Sequence, residues 1–186
     1  MPSARAFMKR SDLEHLIRAA GKIGQDSEIV VIGSQAILGQ FPDAPESLLM
    51  SAEADVFPLN RPEKSSLIDG AIGEGSRFHQ EYGYYAQGVD ERTAILPRGW
   101  RDRLVAVSNP NTDGVVGLCL EANDLAISKY VAGRPKDLDF TKELAKHSMT
   151  SLEILMTRVD DTGVASQLRD VMRARIRRDF SDRVAR

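Results

Sequence analysis

The chain has 186 residues, of which 42% are hydrophobic and 28% are charged, and its formal net charge is −2. This length suits one core with a small appended lobe and is too short for two large domains. The net charge excludes an overall attraction to nucleic acid or to anionic lipid, so any such binding must come from a local patch.

The cysteine content and the hydrophobic runs bear on the compartment. Cys119 is the only cysteine, which excludes a disulfide framework and a thiolate metal site and suits a reducing cytosol. No apolar run reaches the roughly 18 residues of a membrane span, and the N-terminus lacks the apolar run of a signal peptide. We therefore expect a cytoplasmic protein that does not interact with membranes.

The first part of the chain alternates between helix and strand patterns. Ser11 and Glu14 have the spacing of a capping box, and a helical apolar period follows as far as Gly24. Residues 28–32 predict a strand that is apolar on both faces and therefore central in its sheet. The remaining patterns predict a helix at 63–72 and strands at 50–57, 84–88, 93–96, 104–107 and 115–120. The last two strands flank a segment at 109–114 whose residues are typical of a hairpin turn.

From Asn123 onwards the pattern becomes helical. Helices are expected at 123–131, 135–146, 151–159 and 164–178, and the first two are separated by the sequence Gly-Arg-Pro at 133–135. The expected fold class is therefore α/β of the α+β kind. A small mixed sheet with flanking helices would occupy residues 1–121, and a C-terminal helical lobe would occupy residues 122–186.

A turn with phosphate-binding chemistry follows the central predicted strand. Gly33 and Ser34 end that strand and lead into a short predicted helix, residues 35–39. Such a turn offers backbone N–H groups and a hydroxyl to a phosphate. The same dipeptide is also a common turn that binds nothing, so it is weak evidence by itself.

The next predicted strand carries two acids. Glu53 and Asp55 alternate along it, so their side chains share one face and their Cα atoms lie roughly 6 to 7 Å apart. Hard oxygen ligands at that spacing suit Mg²⁺ or Mn²⁺. Alternating acids also line solvated edge strands, so it is the combination with the Gly33 turn that indicates a nucleoside triphosphate and its metal ion.

A third group of charges lies at the junction of two predicted helices. Lys129, Arg134 and Lys136 bring three cations to this corner, where they could neutralise a triphosphate tail or its pyrophosphate product. In the alternative interpretation the corner is a solvated basic turn, in which Asp137 and Asp139 occupy a helix N-terminus that favours acids.

In this order the three groups resemble the nucleotidyltransferase fold of the polymerase-beta type. More narrowly, they resemble the nucleotidyltransferase-like toxins of AbiE-type abortive-infection systems. That family pattern has a Gly-Ser or Gly-Gly turn, a pair of acids separated by one residue, and a later helix with a lysine followed by an Arg-x-Lys-Asp corner. The resemblance covers residues 28–145.

The resemblance implies transfer of a nucleoside monophosphate from a nucleoside triphosphate to an acceptor hydroxyl. The acceptor would be an RNA or tRNA 3′ end or a protein, and a toxin would have an antitoxin protein as its partner. Glu53 and Asp55 would hold the Mg²⁺ or Mn²⁺ ion and serve as catalytic residues. Gly33 and Ser34 would bind the β- and γ-phosphates.

The resemblance also implies roles for the basic corner. Lys129 would support the triphosphate, and Arg134 and Lys136 would face phosphate or acceptor. Asp137 would orient one of these cations or support catalysis.

Three departures from the family pattern keep a second interpretation open. The first acid is Glu53 rather than an aspartate, and the segment between the turn and the acids is long and contains Pro42 and Pro45. A third acid is not obvious, since Asp90 lies in a predicted turn where acids are usually solvated. The alternative is a catalytically inactive module of the same fold that binds a nucleotide or a partner.

The C-terminal segment is rich in arginine. Between Val164 and Arg186 there are seven arginines and three acids. This local excess could bind an RNA backbone or an acidic partner. It could equally be a solvated helix whose cations suit its dipole and whose apolar face is buried.

Overall fold

The structure, a computed structural model, describes residues 7–184 and the side chains of residues 7–182. Its helices and strands, in chain order, are α1 Arg10–Gly24, β1 Glu28–Val31, α2 Ile37–Gln40, β2 Glu53–Pro58, α3 Ser65–Ile72, α4 Arg77–Tyr82, β3 Tyr85–Gly88, β4 Val105–Val107, β5 Val116–Cys119, α5 Ala122–Ala132, α6 Pro135–Lys146, α7 Leu152–Asp160 and α8 Ser166–Val184. Within the described range, none of these helices combines the length and the apolar character needed to cross a membrane.

The five strands form one mixed sheet in the order β3-β2-β1-β5-β4. β1 runs antiparallel to β2 and parallel to β5, β2 runs parallel to β3, and β4 runs antiparallel to β5. Ile29, Val30 and Val31 of β1 are fully buried, as expected for a strand covered on both faces. The predicted central strand and the predicted α/β fold class of the α+β kind are therefore confirmed.

Helix α1 begins differently from the prediction. The capping box expected from Ser11 and Glu14 is wrong, because the helix begins at Arg10 and the Asp12 carboxylate accepts a hydrogen bond of 2.9 Å from the Lys9 amide. Glu14 is buried instead, and it accepts a hydrogen bond of 2.9 Å from Asn109 Nδ2. A tertiary contact therefore occupies the carboxylate that the local pattern assigned to the cap.

The strand predicted at 93–96 is also wrong. A 3₁₀ turn spans Glu91–Thr93, and the chain that follows runs to a second 3₁₀ turn at Trp100–Arg103 without forming a strand. The Arg98 amide donates a hydrogen bond of 2.9 Å to the Asp161 carbonyl, which lies just after α7. The backbone of this segment therefore bonds to the helices that follow it in sequence rather than to the sheet.

Contacts between Cα atoms divide the chain into two units. Within the described residues, the sheet unit comprises 7–93 together with Leu104–Leu120, and the helical unit comprises Ala94–Arg103 together with 121–184. The segment 94–103 is thus grouped with the helices, although it precedes β4 and β5 in sequence.

The core of the helical unit combines apolar packing with a buried polar group. Tyr130, Leu144, Leu155, Val159, Met172 and Ile176 are fully buried there. The Asp179 carboxylate on α8 accepts hydrogen bonds from Tyr130 Oη at 2.8 Å and from Thr141 Oγ1 at 2.9 Å. These bonds tie α8 to α5 and α6.

Three of the described α8 arginines bond to residues outside α8. Arg175 Nη1 donates to the Tyr130 carbonyl at 2.9 Å, and Arg169 donates to the Thr162 carbonyl at 3.1 Å. Arg173 pairs with Asp160 and Asp170. Part of the predicted basic surface is therefore used to anchor α8, whereas Arg177 and Arg178 are exposed and Arg178 pairs with Asp179 at 3.8 Å. The side chains of Arg183 and Arg186, which also belong to the predicted basic segment, lie outside the described residues.

Candidate functional site

The predicted phosphate turn and the second predicted acid are in direct contact. β1 and β2 pair antiparallel with Val31 opposite Val56, and the Ile32 amide donates a hydrogen bond of 3.0 Å to the Asp55 carbonyl. A methyl group placed on Gly33 would lie 2.4 Å from Asp55 Oδ2. The turn therefore approaches the carboxylate so closely that a larger residue at Gly33 would require the Asp55 side chain to move.

The two acids of β2 share the more open face of their strand. Glu53 and Asp55 are half-buried, whereas Ala54 and Val56, which alternate with them, are fully buried. The alternation predicted from the sequence thus places both carboxylates on one face, with apolar packing behind them.

Tyr85 on the neighbouring strand holds Glu53. β2 and β3 pair parallel, with Glu53 opposite Tyr85. Tyr85 Oη donates a hydrogen bond of 2.9 Å to Glu53 Oε2. Burial raises the pKa of Tyr85, and the hydrogen bond to Glu53 and the nearby carboxylates raise it further. The phenol therefore keeps its proton at neutral pH and acts as a donor.

Gln87 lies beside the same acids. It is opposite Asp55 in the β2–β3 register and is exposed. With the amide oriented to satisfy its surroundings, the Gln87 nitrogen donates to Glu53 Oε1 at 3.0 Å and to Glu53 Oε2 at 3.3 Å. Tyr85 and Gln87 lie outside the predicted site residues. The sequence signal for them is that they alternate on β3 as the acids do on β2.

Gln35 connects the turn to the start of β2. Ser34 begins a 3₁₀ turn, Ser34–Ala36, that continues into α2. The next residue, Gln35, is fully buried and donates through Nε2 to the Ser51 carbonyl at 2.9 Å. Ser51 Oγ in turn accepts a hydrogen bond of 3.1 Å from the Glu53 amide. The turn and the first acid are thus linked through one buried side chain.

The donor set at this site fits a magnesium or manganese ion held jointly with phosphate. Among the residues that the structure describes, no group of three or more His, Cys, Asp or Glu side chains could hold a metal ion. Mg²⁺, however, is commonly bound through one or two carboxylates, with substrate phosphates completing its coordination. Glu53 and Asp55 meet that requirement, whereas Asp90 accepts hydrogen bonds from Arg92 N at 2.8 Å and Arg92 Nε at 3.1 Å.

The second set of predicted residues lies in the helical unit. Asp137 is 1% exposed, and its carboxylate contacts Arg134 Nε at 2.7 Å and Lys129 Nζ at 3.5 Å. Burial acts to raise the pKa of Asp137, but the hydrogen bonds from Arg134 and the Lys129 charge outweigh it and lower the pKa. Asp137 is therefore an anion that holds two of the three predicted cations, while Lys136 is exposed.

Replacing Gly33 by Ala tests the contact between the turn and Asp55. The backbone φ of Gly33 is −83°, which any residue adopts, so the expected effect is purely steric. The added methyl group would lie 2.9 Å from Asp55 Cγ. We expect a loss of roughly 1–3 kcal/mol in the free energy of unfolding, as for overpacking elsewhere, measured by chemical denaturation.

The matched control is Gly70→Ala on α3. A methyl group at Gly70 meets nothing within 4 Å. The helical position should therefore gain up to about 1 kcal/mol. Equal stabilities for Gly33→Ala and the wild-type protein would contradict the close contact.

Comparison with known proteins gives a family match. A family model described as "Nucleotidyltransferase of unknown function (DUF6036)" matches residues 10–185. No curated protein and no solved structure gives a significant match. The matched range includes every predicted site residue.

Proposed function

Because the chain belongs to this nucleotidyltransferase family, we propose that it transfers a nucleoside monophosphate from a nucleoside triphosphate to an acceptor hydroxyl. One observation in particular supports the proposal. The Gly33 turn, which suits phosphate, contacts the Asp55 carboxylate, which suits a divalent cation. A substrate that carries both phosphate and Mg²⁺ matches that combination.

Glu53 and Asp55 are the residues that would hold the Mg²⁺ or Mn²⁺ ion, with Tyr85 fixing the orientation of Glu53. The bound cation would neutralise charge on the phosphates as it develops in the transition state. The Gly33 and Ser34 backbone amides and the Ser34 hydroxyl would hold the β- and γ-phosphates. In the reaction the acceptor oxygen bonds to the α-phosphorus, the bridge to the β-phosphate breaks, pyrophosphate leaves, and the acceptor proton passes to a site carboxylate or to water.

Lys129, Arg134 and Lys136 are proposed to bind phosphate oxygens of the substrate or of the pyrophosphate product. Their charges suit that role, and Asp137 is assigned as the residue that positions Arg134 and Lys129. A buried carboxylate that fixes two cations reduces the ordering cost when an anion binds.

The proposed acceptor is an RNA or tRNA 3′ end or a protein hydroxyl, and an antitoxin protein is the proposed partner. Among the α8 arginines whose side chains the structure describes, Arg177 and Arg178 are exposed and would favour RNA, whereas Arg169, Arg173 and Arg175 bond to residues outside α8.

A second candidate function is nucleotide binding without transfer. Two observations favour it. The Glu53 carboxylate already accepts hydrogen bonds from Tyr85 and Gln87. Among the described residues, no third acid joins Glu53 and Asp55 in a metal-binding group. A regulatory module of the same fold would have these properties.

A transfer assay tests both candidates. The purified chain is incubated with Mg²⁺, with each of the four nucleoside triphosphates labelled at the α-phosphate, and with total RNA, tRNA and a protein extract in separate reactions. Transfer predicts covalent label on one acceptor class with release of pyrophosphate. Nucleotide binding without label supports the inactive module, and the absence of both label and binding contradicts the two candidates together.

A further inference from the structure

Gln87 lies beside the two acids, on the strand that pairs with theirs. In the register of the parallel strands β2 and β3, Gln87 lies opposite Asp55. Its side-chain amide faces the Glu53 carboxylate. Neighbouring strands are about 4.8 Å apart. The Gln87 side chain is therefore adjacent to both carboxylates on the same face of the sheet.

The Gln87 amide can present either a donor or a ligand to this face. A rotation of 180° about its last bond exchanges the nitrogen for the carbonyl oxygen, and this torsion is a soft one. Since Gln87 is exposed, neighbouring side chains offer little resistance to the rotation. The rotated oxygen would occupy the place of a nitrogen that lies 3.0 Å from Glu53 Oε1.

That separation is the one expected for two ligands of the same magnesium ion. Mg²⁺ holds its ligands at 2.0–2.1 Å in an octahedron, so neighbouring ligand oxygens are about 2.9 Å apart. The position of the Gln87 amide and the Glu53 carboxylate thus matches two adjacent corners of the octahedron. Without a cation the two oxygens would repel each other, so the orientation in which the nitrogen faces Glu53 is favoured in that state.

The other groups near the acids are less suited to this role. Tyr85 Oη lies 2.9 Å from Glu53 Oε2, where it donates a hydrogen bond to that carboxylate. Asp90 is engaged by Arg92. Gln87 is therefore the side chain on β3 that can contribute a hard oxygen without adding charge.

We propose that Gln87 is a third protein ligand of the divalent cation held by Glu53 and Asp55, and that its amide turns over when the cation binds. The inference rests on the proposed function, since it uses the same metal site. Two carboxylates and a neutral amide carry a total charge of about −2, which balances the charge of one Mg²⁺ without an excess. The cation should therefore bind weakly alone and more tightly together with the anionic triphosphate.

Binding of Mn²⁺ to the full chain, measured by electron paramagnetic resonance, tests the proposal. Titrations are made with Mn²⁺ alone and with Mn²⁺ plus each nucleoside triphosphate in a form that cannot be cleaved between the α- and β-phosphates. Gln87→Leu is expected to lower the Mn²⁺ affinity by about 10-fold or more, as changes around metal sites typically do. Gln87→Glu is expected to raise it, because it supplies a charged oxygen at the same place.

A spectroscopic measurement separates a ligand from a residue that only positions Glu53. In protein labelled with ¹³C-glutamine, bound Mn²⁺ should show a strong ¹³C hyperfine coupling from a carbon next to a ligand oxygen, and Gln87→Leu should remove it. Tyr85→Phe, which removes only a donor to Glu53, should leave the coupling in place. Gln167→Glu, an exposed change in α8, controls for added charge.

The outcomes distinguish this inference from the proposed function. Mn²⁺ binding that requires Glu53 and Asp55 but shows no coupling from Gln87, with unchanged affinity in Gln87→Leu, overturns the inference alone. Mn²⁺ binding that is absent, or that persists unchanged in the Glu53→Ala/Asp55→Ala double variant, overturns both.

Discussion

Replacement of Asp55 by Asn is expected to lower nucleoside monophosphate transfer by about 10³-fold or more while leaving the fold intact. A catalytic metal ion contributes several kcal/mol to transition-state stabilisation, and each 1.36 kcal/mol corresponds to a tenfold change in rate. Asparagine keeps the shape of the side chain but removes one of the two negative charges that would hold the cation. Because Asp55 is half-buried on the open face of β2, its replacement by Asn should leave the apolar packing behind the strand unchanged.

The expected result for Asp55→Asn is measured as the rate of α-phosphate label transfer at saturating nucleotide. Asp69→Asn on α3, which is exposed, is the matched control and should behave as wild type. Glu53→Gln should have a similar effect to Asp55→Asn. Because the two residues would act on one ion, the double variant should lose little more than either single variant. Full activity in Asp55→Asn would exclude the proposed metal site.

Replacement of Asp124 by Leu is expected to lower the free energy of unfolding of the helical unit by about 3–5 kcal/mol, the cost of removing one partner from a buried ion pair. Asp124 is fully buried at the start of α5. It accepts hydrogen bonds from Arg103 Nε at 2.8 Å, from Arg103 Nη2 at 3.0 Å and from Arg158 Nη1 at 3.0 Å. Its removal leaves two guanidinium groups without this acceptor.

The size of the Asp124 effect depends on how far the two arginines can reach water. Arg158 is 14% exposed and also contacts Glu121, whereas Arg103 is 30% exposed. Relaxation of Arg103 towards solvent therefore favours the lower end of the range. Asp182→Asn, which breaks the exposed pair with Lys142, is the matched control and should cost about 0–1 kcal/mol. Chemical denaturation measures both values, and equal losses would show that Asp124 contributes no more than a surface charge.

The parts of the fold that could be predicted are those set by local chemistry. The apolar run at 28–32 identified the central strand, and the Gly-Arg-Pro sequence before α6 identified the start of that helix, which runs from Pro135 to Lys146. Proline fixes the φ of the first helical residue, and Gly133 adopts a φ of 65° that glycine accommodates readily. These signals act within a few residues and do not depend on the rest of the fold.

The parts that could not be predicted depend on pairing between distant residues. Glu14 has the spacing of a capping residue, but its contact with Asn109 joins positions 95 residues apart. Helix α4 was not expected, because its N-terminal signal is a single serine, Ser76, whose Oγ accepts from the His79 amide. Local patterns carry no information about which strand or turn a side chain will meet.

The candidate site also combines features that the local sequence predicts with features that depend on strand pairing. The alternation of Glu53 and Asp55 predicted a shared face, and the structure has it. The positions of Tyr85 and Gln87 beside those acids follow from the parallel register of β2 and β3, which no short motif encodes. The contact of Gly33 with Asp55 likewise follows from the antiparallel register of β1 and β2. The sequence thus identifies the charged groups, and the sheet determines which of them meet.

The Gly33–Ser34 turn and the Glu53–Asp55 pair are proposed to form one site for a nucleoside triphosphate and its divalent cation. Calorimetric titration of each nucleoside triphosphate tests it most directly, with Mg²⁺, without Mg²⁺, and in the Glu53→Ala/Asp55→Ala double variant. We expect at least one nucleotide to bind the wild-type chain with Mg²⁺. Its affinity should fall by about 10-fold or more, as for a disturbed metal site, when either the cation or the two carboxylates are removed. Nucleotide binding of equal strength under all three conditions, or no binding by the wild-type chain, would contradict it.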